Sequence, residues 1–176
     1  QPPGYSFGKK FEVLASEVSG SNDLINFPLY IQITDPELRS VSNGGHIENI
    51  NGYDITFTTP DCITQLPFQI EDYNPVTGNL IVWVQISALS PINNTAFFMY
   101  YGNSGITTNP SSSSTWEAQY DGVWHMNNDP SSASLIDNSG NDVDGTSFGS
   151  MTSTDLVSGK LGNGIDFDGT NDYFAL

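Results

Sequence analysis

The sequence predicts an all-β protein whose main body is an antiparallel β-sandwich of jelly-roll type. Three observations lead there. Apolar residues recur at every second position through most of the first hundred residues, the spacing of a half-buried strand. The alternating segments are separated by short stretches rich in Gly, Asn, Pro and Ser, the residues that tight turns require. Two runs, "LIVWVQI" and "FFMYY", are apolar on both sides, as expected of strands at the centre of a sheet.

Taken in order, "KKFEVLAS" sets Phe11, Val13 and Ala15 on one face, and "FPLYIQIT" does the same for Leu29, Ile31 and Ile33. A short helix is predicted in "TDPELRSV", with Asp35 as N-cap, Pro36 at the first helical position, Glu37 in the first turn and an end near Gly44. "YDITFT" groups Tyr53, Ile55 and Phe57. "YNPVTGNL" reads as a hairpin connection joining "PFQIEDY" to "NLIVWVQI". In that last strand Leu80, Val82, Val84 and Ile86 share one side, while Ile81 and Trp83 lie on the other, so both faces are expected to be covered.

Composition narrows the functional classes. Of 176 residues, 37% are hydrophobic and 12% aromatic, enough for a packed core rather than a disordered acidic tail. Four Lys and Arg face twenty Asp and Glu, for a formal charge of −16. Such a surface repels nucleic acid and anionic lipid, and suits an extracellular, salty or calcium-rich setting. No apolar run approaches the roughly 20 residues that span a bilayer, so no membrane insertion is expected. The single cysteine, Cys62, excludes an intrachain disulfide and a thiol zinc cluster, and reads as a small packed side chain. Gln1 at the start fits a mature N-terminus after signal-peptide removal, or a trimmed chain. Asn93-Asn94-Thr95 is a sequon, which marks a surface loop.

Texture changes at "GNSGITTNPSSSSTWE", where Ser111 to Ser114 form an unbroken serine run. A linker is expected over 106–115, dividing residues 1–105 from residues 116–176. The second part is dense in Gly, Asp and Asn. Its loop "DNSGNDVDG" offers Asp137, Asn141, Asp142 and Asp144, with Asn138, as oxygen ligands for calcium. The competing reading is an Asx-rich turn that satisfies itself. Asp166, Asp168 and Asp172 in "DFDGTND" pose the same choice, against a plain "DG" turn. His46 and His125 lack a third ligand and are read as structural. Glu71 and Asp72, as adjacent strand residues, should point to opposite faces and so not act as a catalytic pair. No nucleophile elbow, zinc-protease helix, phosphate loop or dinucleotide fingerprint is present, and the protein is read as non-catalytic. Among the aromatics, core packing is expected to claim Trp83, Tyr100 and Trp124. Trp116 and Tyr120 are expected to be partly exposed, where they would stack on a sugar.

The blocks "GYSFGKKFEV", "FPLYIQITD", "NGGHIENINGYDITFT", "LPFQIEDYNPVTGNLIVWVQI" and "FFMYYGN" resemble, over residues 4–105, the family catalogued as domain of unknown function 2341. Such domains occur in large secreted or surface proteins, often followed by a concanavalin-A-like module of the laminin-G type. "GVWHMN", "DNSGNDVDGT" and "GKLGNGIDFDGTNDYF" look like the start of such a module, so residues 116–176 are expected to be the first strands of a second, truncated sandwich. In laminin-G-type modules calcium commonly holds ligand loops. The resemblance assigns no catalytic residue.

The expected function is a non-catalytic extracellular module of a bacterial surface or secreted protein, serving adhesion or carbohydrate recognition. Its partners would be glycans or other surface protein domains. A structural spacer or assembly unit, and an accessory domain of a polysaccharide-degrading enzyme, remain open beside it. The closing segment 165–176, with Tyr173, Phe174 and Leu176, needs a strand partner in this chain or in another.

Overall fold

Alternating segments become strands, and every strand pair is antiparallel, in a computed structural model that describes residues 1–132 and 134–176. The chain divides into two compact units, Gln1–Thr115 and Trp116–Leu176.

In the first unit, β1 (Phe7–Val13), β2 (Leu24–Thr34), β3 (Thr56–Thr58), β4 (Phe68–Asn74), β5 (Asn79–Leu89) and β6 (Thr95–Tyr101) build two three-stranded sheets, ordered β1-β6-β3 and β2-β5-β4. The two runs that are apolar on both sides are the central strands, β5 and β6. Successive strands change sheet except across the β4–β5 hairpin. The inward face of β5, Leu80, Val82, Val84 and Ile86, packs in one core with Ile31, Phe57, Phe68, Phe97 and Met99. Phe57 of one sheet meets Phe68 of the other edge-on, with ring centroids 5.2 Å apart. Burying each of these side chains stabilises the fold by roughly 1.5–3 kcal/mol. The result is an all-β, sandwich-like arrangement.

The hairpin turn needs its glycine. Asn74 Oδ1 accepts from Val76 N and Thr77 N, and Gly78 closes the turn at φ +74°. A Cβ on Gly78 would lie 2.0 Å from the Asp35 carbonyl oxygen, so any side chain there collides with backbone.

Where one helix was expected, two 3-10 turns form, Pro36–Leu38 and Val41–Asn43. The cap signals act as read: Asp35 Oδ1 accepts from Glu37 N at 2.9 Å, and Gly44 ends the second turn at φ +83°. What breaks the helix is tertiary. Leu38 is drawn into the core, and Arg39 turns extended so that Ser40 bridges Ile47.

Ser111 to Thr115, expected as linker, are tied to the sheet. Ser112 N donates to Phe68 O at 2.9 Å, and Ile70 N donates to Ser111 Oγ at 3.0 Å. Gln85 Nε2 reaches the carbonyls of Ser114 and Thr115 at 3.1 and 3.3 Å. The serine run therefore satisfies part of the open edge of β4, and Thr115 is fully buried.

In the second unit β7 (Thr146–Phe148) pairs with β10 (Tyr173–Ala175), and β8 (Leu156–Ser158) pairs with β9 (Asn163–Ile165). The closing segment thus finds its partner inside the chain, with Tyr173 opposite Phe148 and Ala175 opposite Thr146. Thr152 and Asp155 form a reciprocal cap on the turn before β8. Trp116, Leu135 and Met151 are buried, but Phe148, Phe167, Tyr173 and Leu176 stay 44–67% exposed. Two two-stranded ribbons are formed among the described residues of this unit, rather than the paired sheets of a complete sandwich.

Candidate binding face

The outward face of the β2-β5-β4 sheet carries the richest set of recognition chemistry. Alternation fixes it: with Leu29 and Ile31 inward on β2, Tyr30 and Gln32 point out, and with Val82 and Val84 inward on β5, Ile81, Trp83 and Gln85 point out. Register then lines up Tyr30, Trp83 and Gln69 as one cross-strand row, and Gln32, Ile81 and Asp72 as the next. Tyr30 meets Trp83 edge-on, with centroids 5.1 Å apart. Tyr30 Oη donates to Gln32 Oε1 at 3.1 Å, and Trp83 Nε1 donates to Glu71 Oε2 at 2.7 Å. Tyr30 and Trp83 are half-buried, Gln32 is exposed and Gln69 is buried.

Glu71 reaches this face through a bulge. Ile70 pairs with Val82 and Asp72 pairs with Ile81, leaving Glu71 as the extra residue. The acid pair expected on opposite faces therefore shares one, because the bulge overrides alternation. Burial raises the Glu71 carboxyl above its usual range, the Trp83 hydrogen bond works downward, and the charge of Asp72 adds to the rise. Two half-buried aromatic rings, the exposed Gln32 amide and two acids on one sheet face can stack on and hydrogen-bond a polyhydroxylated ligand, while Gln69 and Ile81 are buried and the Gln85 amide is held by Ser114 and Thr115. Reading β2 with the same care as β5 would have found Tyr30; nothing local in the sequence announces the bulge.

Trp116 and Tyr120 lie in the second unit, in edge contact with centroids 5.6 Å apart, and Trp116 also tilts against His125 at 5.8 Å. Trp116 is only 8% exposed, against the expected partial exposure, while Tyr120 is half-buried. Trp124, expected in a core, is half-buried with Nε1 donating to Val143 O at 3.0 Å. Burial lowers the His125 pKa to about 4. His46, far along the chain, stacks on Phe7 with centroids 3.9 Å apart.

The acidic loop is brought together, around backbone donors. Asp137 Oδ1 accepts from Val123 N and Ser139 N, both at 2.8 Å; Oδ2 accepts from Ser139 Oγ at 2.8 Å and Val143 N at 3.2 Å. Burial pushes the Asp137 pKa upward, but these donors together outweigh it and hold it at about 2. Asp144 Oδ1 accepts from Asp137 N, and Asn141 Nδ2 donates to the carbonyls of Tyr120 and Asp121. Asp142 is exposed at φ +58°. Asp168 is likewise engaged, by the backbone of Thr170 and Asn171, while Asp172 accepts from Asp168 N. Among the described residues no three His, Cys, Asp or Glu side chains group to hold a metal ion.

Two structural clusters went unread in the sequence. Asp54 is fully buried, and its carboxylate accepts from the backbone N–H groups of Glu48, Asn49, Gly102 and Asn103 at 2.8–3.3 Å. Lys9 on β1 holds Glu37 and Asp35 at 2.6 and 2.9 Å, and Tyr101 Oη also donates to Glu37. Both carboxyls are lowered and the Lys9 amine raised by this contact, foremost by the Lys9–Glu37 hydrogen bond on the amine.

Compared with known proteins, residues 51–132 match a family described as Domain of unknown function (DUF2341). The match begins later than the resemblance at residues 4–105 implied, and it runs past Thr115 into the second unit. It ends at residue 132, and no finding supports a laminin-G-type module after it. No curated protein and no solved structure matches the chain. No helix among the described residues is long and apolar enough to cross a membrane.

Proposed function

We propose that the protein is a non-catalytic extracellular recognition module that binds carbohydrate through the outward face of its β2-β5-β4 sheet. The observation carrying this reading is the Tyr30–Trp83 aromatic pair, flanked by Gln32, Gln69, Glu71 and Asp72 in adjacent cross-strand rows. Sugars present apolar C–H faces and hydroxyl edges, which aromatic rings and fixed amide and carboxylate groups complement. The charge of −16 favours neutral or cationic glycans over acidic ones. In this proposal the first unit is a jelly roll, the second is the beginning of a laminin-G-type module, and the protein is exported to the cell surface; an accessory domain of a polysaccharide-degrading enzyme is the alternative that would use the same face.

The test is binding to an array of neutral polysaccharides and oligosaccharides, with calcium present and absent. Trp83→Ala is expected to weaken binding roughly tenfold, the worth of about one aromatic contact. Absence of binding to every glycan at high protein concentration sinks the reading. An assembly role is favoured by a separate observation: Phe148 and Tyr173 stack with centroids 5.0 Å apart while both remain substantially exposed on the β7–β10 ribbon. That ribbon would add a strand or docking face from another surface protein. A strict monomer at all concentrations in light scattering argues against it.

A further inference from the structure

The connection between β5 and β6, residues 90–94, carries the sequon Asn93-Asn94-Thr95. It is the one place in the chain where Asn-x-Ser/Thr occurs without a middle proline; Asn109-Pro110-Ser111 has that proline. The two adjacent asparagines are used differently. Asn94 is an anchor: its Oδ1 accepts from Ala15 N at 3.0 Å, and its Nδ2 donates to Glu12 Oε2 at 3.4 Å. Asn93 is exposed, and among the described residues its carboxamide makes no hydrogen bond; only its backbone N–H is used, donating to Ser90 Oγ. Thr95, the hydroxyl residue of the sequon, opens β6 with Oγ1 accepting from Ser90 N at 3.3 Å. The turn therefore holds Asn94 down and leaves Asn93 turned to solvent.

The surroundings give a sugar chain something to do. Ile92, beside Asn93, is 77% exposed. An apolar cavity of ≈ 240 Å³ opens at this end of the sandwich, lined by Pro60, Leu66, Ile86, Ala88, Thr95 and Phe97. Ile63, on the same β3–β4 connection as Pro60, is 81% exposed. This is an apolar end on a protein otherwise kept soluble by acidic charge.

We propose that Asn93 is an N-glycosylation site. Asn93 Nδ2 bonds to the anomeric carbon of an oligosaccharide carried on a polyprenyl phosphate. The anomeric C–O bond to that phosphate breaks, its electron pair leaves with the phosphate, and one amide proton passes to a base of the transferase. The attached chain shields Ile92 and the mouth of the apolar cavity. The inference rests on the extracellular reading above, since the acceptor must be exported to meet its donor.

The test uses the protein purified from the cells that make it, with exported and cytosolic fractions separated and the peptide containing Asn93 weighed by mass spectrometry. The expected result is an exported protein whose Asn93 peptide is heavier by an oligosaccharide. Asn93→Gln and Thr95→Ala lose that mass, whereas Asn94→Gln and Thr95→Ser, each preserving a sequon, retain it. An exported protein with an unmodified peptide overturns the inference and leaves the extracellular reading standing. A cytosolic, unmodified protein overturns both. Persistence of the added mass in Asn93→Gln places the modification elsewhere and also overturns the inference.

Discussion

Asp54 gathers four backbone N–H groups from two separate chain segments, so its carboxylate does the work of a missing piece of sheet. Asp54→Ala takes the acceptor from one buried donor, Gly102 N, and three partly buried ones, and is expected to cost about 3 kcal/mol in urea unfolding. Asp54→Asn keeps the shape but replaces one acceptor oxygen with a donor, and should recover only part of the loss. His125 makes a prediction about pH. Its folded pKa of about 4 lies below the usual 6.5, so as pH falls the unfolded chain takes up a proton first. Stability present above about pH 6.5 is then lost as pH falls towards 4, at up to roughly 1.4 kcal/mol per pH unit. Glu71, with its raised pKa, acts in the opposite sense, since its folded form takes a proton more readily. The wild-type melting curve should therefore be compared with that of His125→Gln, which is expected to flatten the drop between pH 6.5 and 4.

The loop from Asp137 to Asp144 tests how an acidic segment is best read. Both Asp137 oxygens accept hydrogen bonds from this loop and from Val123, the arrangement of an Asx-rich turn that satisfies itself. Chelator is expected to leave the melting temperature unchanged, while Asp137→Ala lowers it equally with and without calcium. A melting temperature that rises with added calcium in wild type but not in Asp137→Ala reverses this reading. Strand placement was legible because it rests on alternation: β2 and β5 declare their inward faces residue by residue, while β6, apolar on both sides, declares only that it is central. The Asp35 cap and the Gly44 stop were legible too, being local chemistry. The helix between them was not, since Leu38 and the Ser40–Ile47 bridge are tertiary. The bulge at Glu71 escaped for the same reason: it exists only in the pairing of β4 with β5, and it decides which face the acid joins. Serines 111–114 have a linker's composition, yet their short side chains and free backbone suit them to finish an open sheet edge.

Over the whole molecule the charge of −16 sets the response to salt. Self-repulsion among carboxylates opposes compaction, and raising ionic strength from about 0.01 to 1 M shortens the screening length from about 30 to 3 Å. The melting temperature is accordingly expected to rise with sodium chloride; a fall would mean that the Lys9 and Lys10 ion pairs outweigh the repulsion. The ladder that joins β1 to β6 bears on a different property, the response to tension. Phe7 at the start of β1 is paired with Tyr101 at the end of β6, so the two chain ends leave from the same end of the ladder. A load applied between them peels the ladder open one pair at a time from Phe7, instead of shearing all its bonds at once. The third pair reached is Lys9 with Met99, and Lys9 is tethered across the sandwich to Asp35 and Glu37. That tether is the first catch in an otherwise zipper-like opening, and Lys9→Met should let β1 strip away at lower force.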